Sequence, residues 1–209
     1  MVSTNNIKMA VTLISIFLAI FILLLMFYKF VFLRDPDRNI PNGNNLVAPA
    51  DGRIINIIEI KESNIKIKKG FGRVNALCSD VDAGYLISIF MSIFNVHVNR
   101  APIDGEIASV KHNAGKFFMA FDFENSLLNE SNEIIIKSKI GKIKMIQIAG
   151  FIARRIECFA KEKQKVNKGD RIGRIIIGSQ ISLILPKKVR LRVKIGDKVK
   201  AGETILGEF

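Results

Sequence analysis

From Met9 to Tyr28 the chain carries no charged side chain, and most of the run is apolar. A helix of about 20 residues is what crossing the hydrocarbon core of a bilayer requires, so this stretch reads as a membrane helix and not as part of a globular core. A cleaved signal peptide has a shorter apolar core and a small-x-small cleavage site after it, and this run has neither. Lys8 precedes the run, whereas Lys29, Arg34 and Arg38 follow it. Positive charge concentrated after the helix favours a cytoplasmic position for the rest of the chain.

The expected organisation is an anchor at residues 1–33, a linker at 34–45 and one domain at 46–209. The linker is rich in turn formers, Asp35-Pro36-Asp37-Arg38 and then Ile40-Pro41-Asn42-Gly43-Asn44-Asn45, which end any helix. With 209 residues in all, one ordinary domain fits after the anchor and a second large one does not. Lys and Arg number 32 against 19 acidic residues, a formal charge of +13. A basic domain tethered to a membrane is drawn to anionic headgroups, at about 1 kcal/mol per well-placed cation. Nucleic acid is the other usual partner of such charge. Here, however, the cations alternate with Ile and Val, as in Ile65-Lys66-Ile67-Lys68 and Arg190-Leu191-Arg192-Val193-Lys194. They read as solvated outer faces of strands, and no nucleic-acid partner is expected. Cys78 and Cys158 are far apart and lack CxxC spacing, so they read as reduced structural residues rather than a disulfide or a metal site.

Beyond the linker, short Ile- and Val-rich runs are punctuated by glycine. Strands are predicted at Arg53–Ile60, Asn64–Lys68, Tyr85–Met91, Glu133–Ile140, Lys142–Ile148, Arg174–Ile177, Ile181–Leu185 and Val189–Ile195. Gly150–Lys161 is the best candidate for a helix, and Phe121–Asn129 a second. The spacing fits a mostly β barrel or sandwich better than an α/β fold. There is also an internal echo. Pro49-Ala50-Asp51-Gly52-Arg53-Ile54 recurs in form as Pro102-Ile103-Asp104-Gly105-Glu106-Ile107, and Lys168-Gly169-Asp170-Arg171-Ile172-Gly173 is answered by Ala201-Gly202-Glu203-Thr204-Ile205-Leu206-Gly207. Repeated turns of one type are what two related β-hammerhead halves need.

Few residues are equipped for chemistry near neutral pH. His97, in Phe94-Asn95-Val96-His97-Val98-Asn99-Arg100-Ala101-Pro102, sits where an alternating strand meets a proline-ended turn; His112 sits in a basic loop. Asp51 occupies a turn, a position where aspartate commonly caps backbone N–H groups. Gly178-Ser179 is a common turn dipeptide, but a serine hydroxyl beside a glycine carbonyl is also able to attack its own backbone. Nothing around it matches the Gly-x-Ser-x-Gly elbow of a hydrolase.

Five segments occur in order: Phe32-Leu33-Arg34-Asp35-Pro36-Asp37-Arg38; Ala48-Pro49-Ala50-Asp51-Gly52; Asn95 through Pro102; Ile148-Ala149-Gly150-Phe151-Ile152-Ala153-Arg154-Arg155-Ile156; and Gly169-Asp170-Arg171-Ile172-Gly173 through Gly178-Ser179 to Leu185-Pro186. Together they resemble the phosphatidylserine decarboxylase family, in particular its short bacterial, archaeal-type branch. The resemblance implies a proenzyme that cuts itself before Ser179 into a β chain, 1–178, and an α chain, 179–209, which remain together as a heterodimer. Ser179 would become a pyruvoyl group, with neither metal nor pyridoxal phosphate. That group would decarboxylate phosphatidylserine through a Schiff base at the surface of an anionic membrane, the bacterial inner membrane, to give phosphatidylethanolamine. The resemblance assigns catalytic roles to Ser179, His97 and Asp51.

The chain departs from the long branch of the family at two places. Gln180 stands where that branch has threonine, and Arg100 where it has a second histidine paired with aspartate for self-cleavage. Arginine is no base at neutral pH. Two other readings are a membrane-tethered biotinyl or lipoyl carrier, with Lys144-Met145 as its acceptor motif, and a pyruvoyl decarboxylase of a soluble amino acid. A third is a basic membrane protein without catalysis.

Overall fold

The computed structural model describes residues 4–60, 84–115, 128–150, 155–176 and 179–209. The chain divides into two compact units, Met1–Arg34 and Asp35–Phe209. In the first, helix α1 (Thr4–Met26) continues as a π-helical segment, Phe27–Phe32. Its apolar side chains are exposed, and among the described residues it is one helix long and apolar enough to cross a membrane. Two of its hydroxyls are satisfied internally: Thr12 Oγ1 donates to the Lys8 carbonyl at 3.0 Å and Ser15 Oγ to the Val11 carbonyl at 2.9 Å. A helix surrounded by hydrocarbon needs its polar groups met in this way.

The second unit is built from strands: β1 (Asn45–Val47), β2 (Gly52–Ile60), β3 (Gly84–Met91), β4 (Val98–Arg100), β5 (Gly105–Asn113), β6 (Ser131–Ser138), β7 (Gly141–Ile148), β8 (Arg155–Cys158), β9 (Lys165–Val166), β10 (Arg171–Ile176), β11 (Ser179–Pro186), β12 (Arg190–Leu191), β13 (Lys198–Val199) and β14 (Ile205–Glu208). Eight form one curled antiparallel sheet in the order β13-β2-β3-β11-β7-β6-β5-β9; two three-stranded sheets, β1-β14-β12 and β4-β10-β8, complete the unit. The mostly β, barrel-like body expected from the Ile and Val runs is the one observed.

The sheet order reads the same from both ends, and the pairings repeat bond for bond. Gly52 pairs with Val199 as Gly105 does with Val166. Ile54 N donates to the Asp197 carbonyl as Ile107 N does to that of Gln164, and Gly202 N to Ala48 as Gly169 N to Ala101. Both β2 and β5 carry a bulge at the same place, between Ile54 and Asn56 and between Ile107 and Ser109. A Cβ on Gly52 would lie 2.2 Å from the Phe90 carbonyl oxygen and one on Gly105 2.4 Å from that of Lys137, so both turns demand glycine by close approach. The sequence echo is therefore a pseudo-twofold repeat. One half is β4 to β10, contiguous in the chain; the other is β1 to β3 completed by β11 to β14.

Some local expectations fail. The helix expected at Gly150–Lys161 is replaced, where it is described, by β8, paired edge to edge with β10 from Cys158↔Gly173 to Arg155↔Ile176. Ladder hydrogen bonds and the Glu157–Arg174 ion pair at 2.6 Å outweigh the helix preference of its Ala, Glu and Lys. The strand expected at Val189–Ile195 shortens to β12, and β5 was hidden because its bulge breaks the period of two. The Asn64–Lys68 strand and most of the Phe121–Asn129 helix lie outside the described residues.

Asp51 and Asp104 occupy equivalent turns and do the same local work. Asp51 Oδ1 accepts from Ala201 N at 2.8 Å, and Asp104 Oδ1 from Lys168 N at 2.7 Å. Among the described residues only Asp51 also carries an ion pair, with both its oxygens 2.9 Å from Arg38 Nη2. The Asp51 and Arg38 side chains are largely buried, whereas Asp104 is exposed. Removing one charge of a buried pair strands the other, so Asp51→Asn is expected to cost about 3 kcal/mol. Asp104→Asn should cost under about 1 kcal/mol, because no close ion pair is lost. Urea unfolding of the full chain in detergent, in a Ser179→Ala background, measures the difference.

Candidate active site

Ser179 opens β11, the strand at the middle of the large sheet, and is fully buried. It pairs across the ladder with Met91, the last residue of β3. The equivalent pair in the other half is Ser138 with Gly141, joined there by the tight β6–β7 turn. In the first half that hairpin is open: the chain leaves β3 at Met91, runs through the whole second half and returns at Ser179. Gly178 lies outside the described residues. Ser179 Oγ has no hydrogen-bond partner among the described residues, which is costly for a buried hydroxyl and points to a role other than packing.

His97 lies just before β4, after a turn in which Asn95 Oδ1 accepts from both Ser92 N and Ser92 Oγ at 2.8 Å. The ring is almost fully buried. Its Nδ1 is 2.9 Å from the Asn95 carbonyl, an oxygen that only accepts, so neutral His97 carries its proton on Nδ1 and presents Nε2 as the basic nitrogen. The His97 carbonyl accepts from Ile175 N at 3.3 Å, which ties it to the strand leading toward Ser179. Side chains alternate along a strand, so His97 falls on the same side of β4 as Asn99. Asn99 Nδ2 is 3.7 Å from the sulfur of Met91, the cross-strand neighbour of Ser179.

The same alternation turns Arg100 away. Its guanidinium donates to the Gly169 carbonyl at 2.9 Å, the Pro36 carbonyl at 3.0 Å and Asp35 at 3.0 Å. Burial, and next the nearby Arg171, pull its pKa down from the usual value, while Asp35 pulls it back. Arg171 in turn bonds Asp35 and Asp37, whose side-chain hydrogen bonds raise its pKa. The segment after the anchor is thus laced to the β unit. None of the Asp51 hydrogen bonds goes to His97; they go to Arg38 and Ala201 N. His112 is on β5 rather than in a loop, exposed, 3.7 Å from Glu130. Cys158 is a free, exposed thiol and not a core residue, and Cys78 lies outside the described residues.

A cleft of about 620 Å³ is walled by Asp51, Phe90, Ser92 and Asn95, with Arg53, Lys198 and Lys200 contributing positive charge. Phe90 precedes Met91 on β3, so the cleft adjoins the Ser179 end of the sheet. Lys198 and Lys200 carried no signal in the sequence, where they are two of many cations. Arg38 stood inside a quoted motif, but nothing local names Asp51 as its partner. Lys144 is buried in the middle of β7, 2.6 Å from Glu133, and not at the hairpin tip a carrier's acceptor lysine occupies.

A family model described as phosphatidylserine decarboxylase matches residues 26–207. The chain is 41% identical to the phosphatidylserine decarboxylase proenzyme of Chlorobaculum tepidum, over 88% of this chain and 78% of that one. It is 41% identical to the putative archaetidylserine decarboxylase proenzyme of Methanocaldococcus jannaschii, over 91% of this chain and 94% of that one. With the phosphatidylserine decarboxylase proenzyme of Rickettsia bellii it shares 43% identity over 85% and 73%. These matches put the protein among carboxy-lyases made as proenzymes, which sets the carrier reading aside. The chain belongs to the phosphatidylserine decarboxylase family.

The histidine tautomer is open to direct measurement. Nitrogen-15 NMR of the Ser179→Ala precursor, labelled at histidine, should show neutral His97 protonated at Nδ1. An Nε2–H signal would overturn the tautomer assigned from the Asn95 carbonyl. Arg100→His should not speed cleavage, because position 100 faces away from Ser179, and it should lower the melting temperature by removing three hydrogen bonds.

Proposed function

We propose that this chain is a self-processing phosphatidylserine decarboxylase whose Ser179 is both the nucleophile of its own cleavage and the precursor of a pyruvoyl group. The observation that carries the reading is the buried Ser179 hydroxyl, without a partner among the described residues, at the open end of an interrupted hairpin. Ser179 Oγ attacks the carbonyl carbon of Gly178 while His97 Nε2 takes the hydroxyl proton. The C–N bond breaks, the Ser179 nitrogen is protonated to a free amine, and an ester joins Gly178 to Oγ. Loss of the Ser179 Cα proton and departure of Oγ as the Gly178 carboxylate then separate chain 1–178 from chain 179–209. The dehydroalanine left at 179 hydrolyses, with water, to pyruvoyl and ammonia.

The small chain stays in place because β11 is hydrogen-bonded along both edges, to β3 and to β7. Once formed, the pyruvoyl group supplies an electron sink for the pair released as CO2 leaves. His97 then stands where a proton has to be delivered, and the cations of the cleft match an anionic headgroup. Asp51 holds the frame: it ties the post-anchor segment, through Arg38, to the turn of the small chain at Ala201. The apolar N-terminal helix, with its cations on the C-terminal side, keeps the catalytic unit at the cytoplasmic face of the membrane, where the lipid headgroup lies.

Intact mass spectrometry tests the cleavage. Wild type should give two chains, the smaller beginning with a blocked residue derived from Ser179, and Ser179→Ala one chain. A wild type that persists as a single chain with an ordinary serine would end the proposal. His97→Ala should lower lipid decarboxylation by at least about 100-fold, assayed on vesicles containing phosphatidylserine; equal turnover of free serine would instead mark a soluble-substrate enzyme.

A further inference from the structure

A buried chain of three amides lies at the Ser179 end of the large sheet, and no step above uses it. Asn132 Nδ2, on β6, donates to Gln147 Oε1, on β7, at 2.9 Å. Gln147 Nε2 donates to Asn99 Oδ1, on β4, at 2.8 Å. The chain ends where Asn99 Nδ2 meets Met91 Sδ at 3.7 Å. All three amides are essentially inaccessible to solvent. Because the Asn99 oxygen is engaged by Gln147, its NH2 group is turned toward the sulfur of Met91, the cross-strand neighbour of Ser179. A thioether is a poor acceptor, and the chain therefore ends on a strong donor that is weakly used.

The pseudo-twofold repeat supplies an internal control. In the register of the two halves, Asn99 corresponds to Leu46, Gln147 to Leu185 and Asn132 to Tyr85: Asn99 pairs with Gly173 as Leu46 does with Gly207, and Gln147 with Asn132 as Leu185 does with Tyr85. Leu46 and Leu185 belong to the apolar core. Packing at these positions is met by leucine, and burying amides instead is unfavourable unless their hydrogen bonds are needed. Only the half made of β4 to β10 carries amides at these positions.

We propose that Asn99 is the hydrogen-bond donor to Ser179 Oγ as negative charge builds on that atom, and that Gln147 and Asn132 are positioning residues that aim it. In the resting chain the two groups flank Met91 without bonding; the donation forms as Oγ loses its proton to His97 in the acyl shift. The same donor serves when the Cβ–Oγ bond breaks and its electron pair leaves on Oγ as a carboxylate. A preorganised donor in a buried site is worth most where charge develops.

The inference rests on the self-cleavage reading, and the two fail differently. Full-length precursors are made by cell-free synthesis with phospholipid vesicles, the first-order rate of chain separation is followed by intact mass, and melting temperatures are taken in the Ser179→Ala background. Asn99→Leu should slow separation about 100-fold. Gln147→Leu, which installs the residue of the other half, should slow it by a smaller factor, and both should still fold, melting only slightly below the parent because each leaves a buried amide without its partner. That split of rate from stability is what a merely structural amide would not produce. Should Asn99→Leu fail to fold, the isosteric Asn99→Asp decides, with the same loss of rate expected. Well-folded variants that separate at the wild-type rate overturn the role of Asn99 alone, as does a loss of rate that only follows a loss of folding. A wild type that never separates overturns the self-cleavage reading itself.

Discussion

Strand β11 is the element on which the rest depends. It lies at the middle of the eight-stranded sheet, paired over its full length with β3 and over five residues with β7, and all of its residues are buried. Under the proposed cleavage, a break ahead of Ser179 would leave the pairing from Gln180 onward in place, so the two chains would stay joined through the sheet. Arg38, Asp51 and Ala201 add a second tie between the segment after the anchor and the final β-strands.

The repeat within the fold shows where its two halves differ. Seven strands of each half match in order and in bonding, and one half closes the β6–β7 turn that the other leaves open between Met91 and Ser179. In that register Asn99 and Gln147 stand where the other half has Leu46 and Leu185. Departures from the repeat gather at one end of the sheet, which is where a site, as distinct from a scaffold, needs residues that packing alone would not select.

Much of the scaffold was legible because strands announce themselves through local chemistry. The Ile-rich stretches became β2, β3, β6, β7 and β11, and the Asp-Gly echoes became equivalent turns. The losses have local causes as well. A bulge at Ile107 to Ser109 masked β5 and with it the true setting of His112, and the pairing that makes Arg155–Cys158 a strand comes from β10, further along the chain. At the candidate site, the order of the motifs is what singled out Ser179 and His97. The tie between Asp51 and Arg38 was not legible, since both residues sat in quoted motifs with nothing to join them.

The amino-acid sequence by itself determined the apolar N-terminal helix, the β character of the remainder and its repeated turns, because each follows from composition or period within a few residues. Tertiary structure decided the partners of the candidate residues. Arg100 reaches Asp35; Asp51 pairs with Arg38; and Asn99 bonds Gln147, which bonds Asn132, on strands more than thirty positions further along the chain. Those relations depend on strand order and register, which arise only when distant segments pair and which no local pattern of residues encodes.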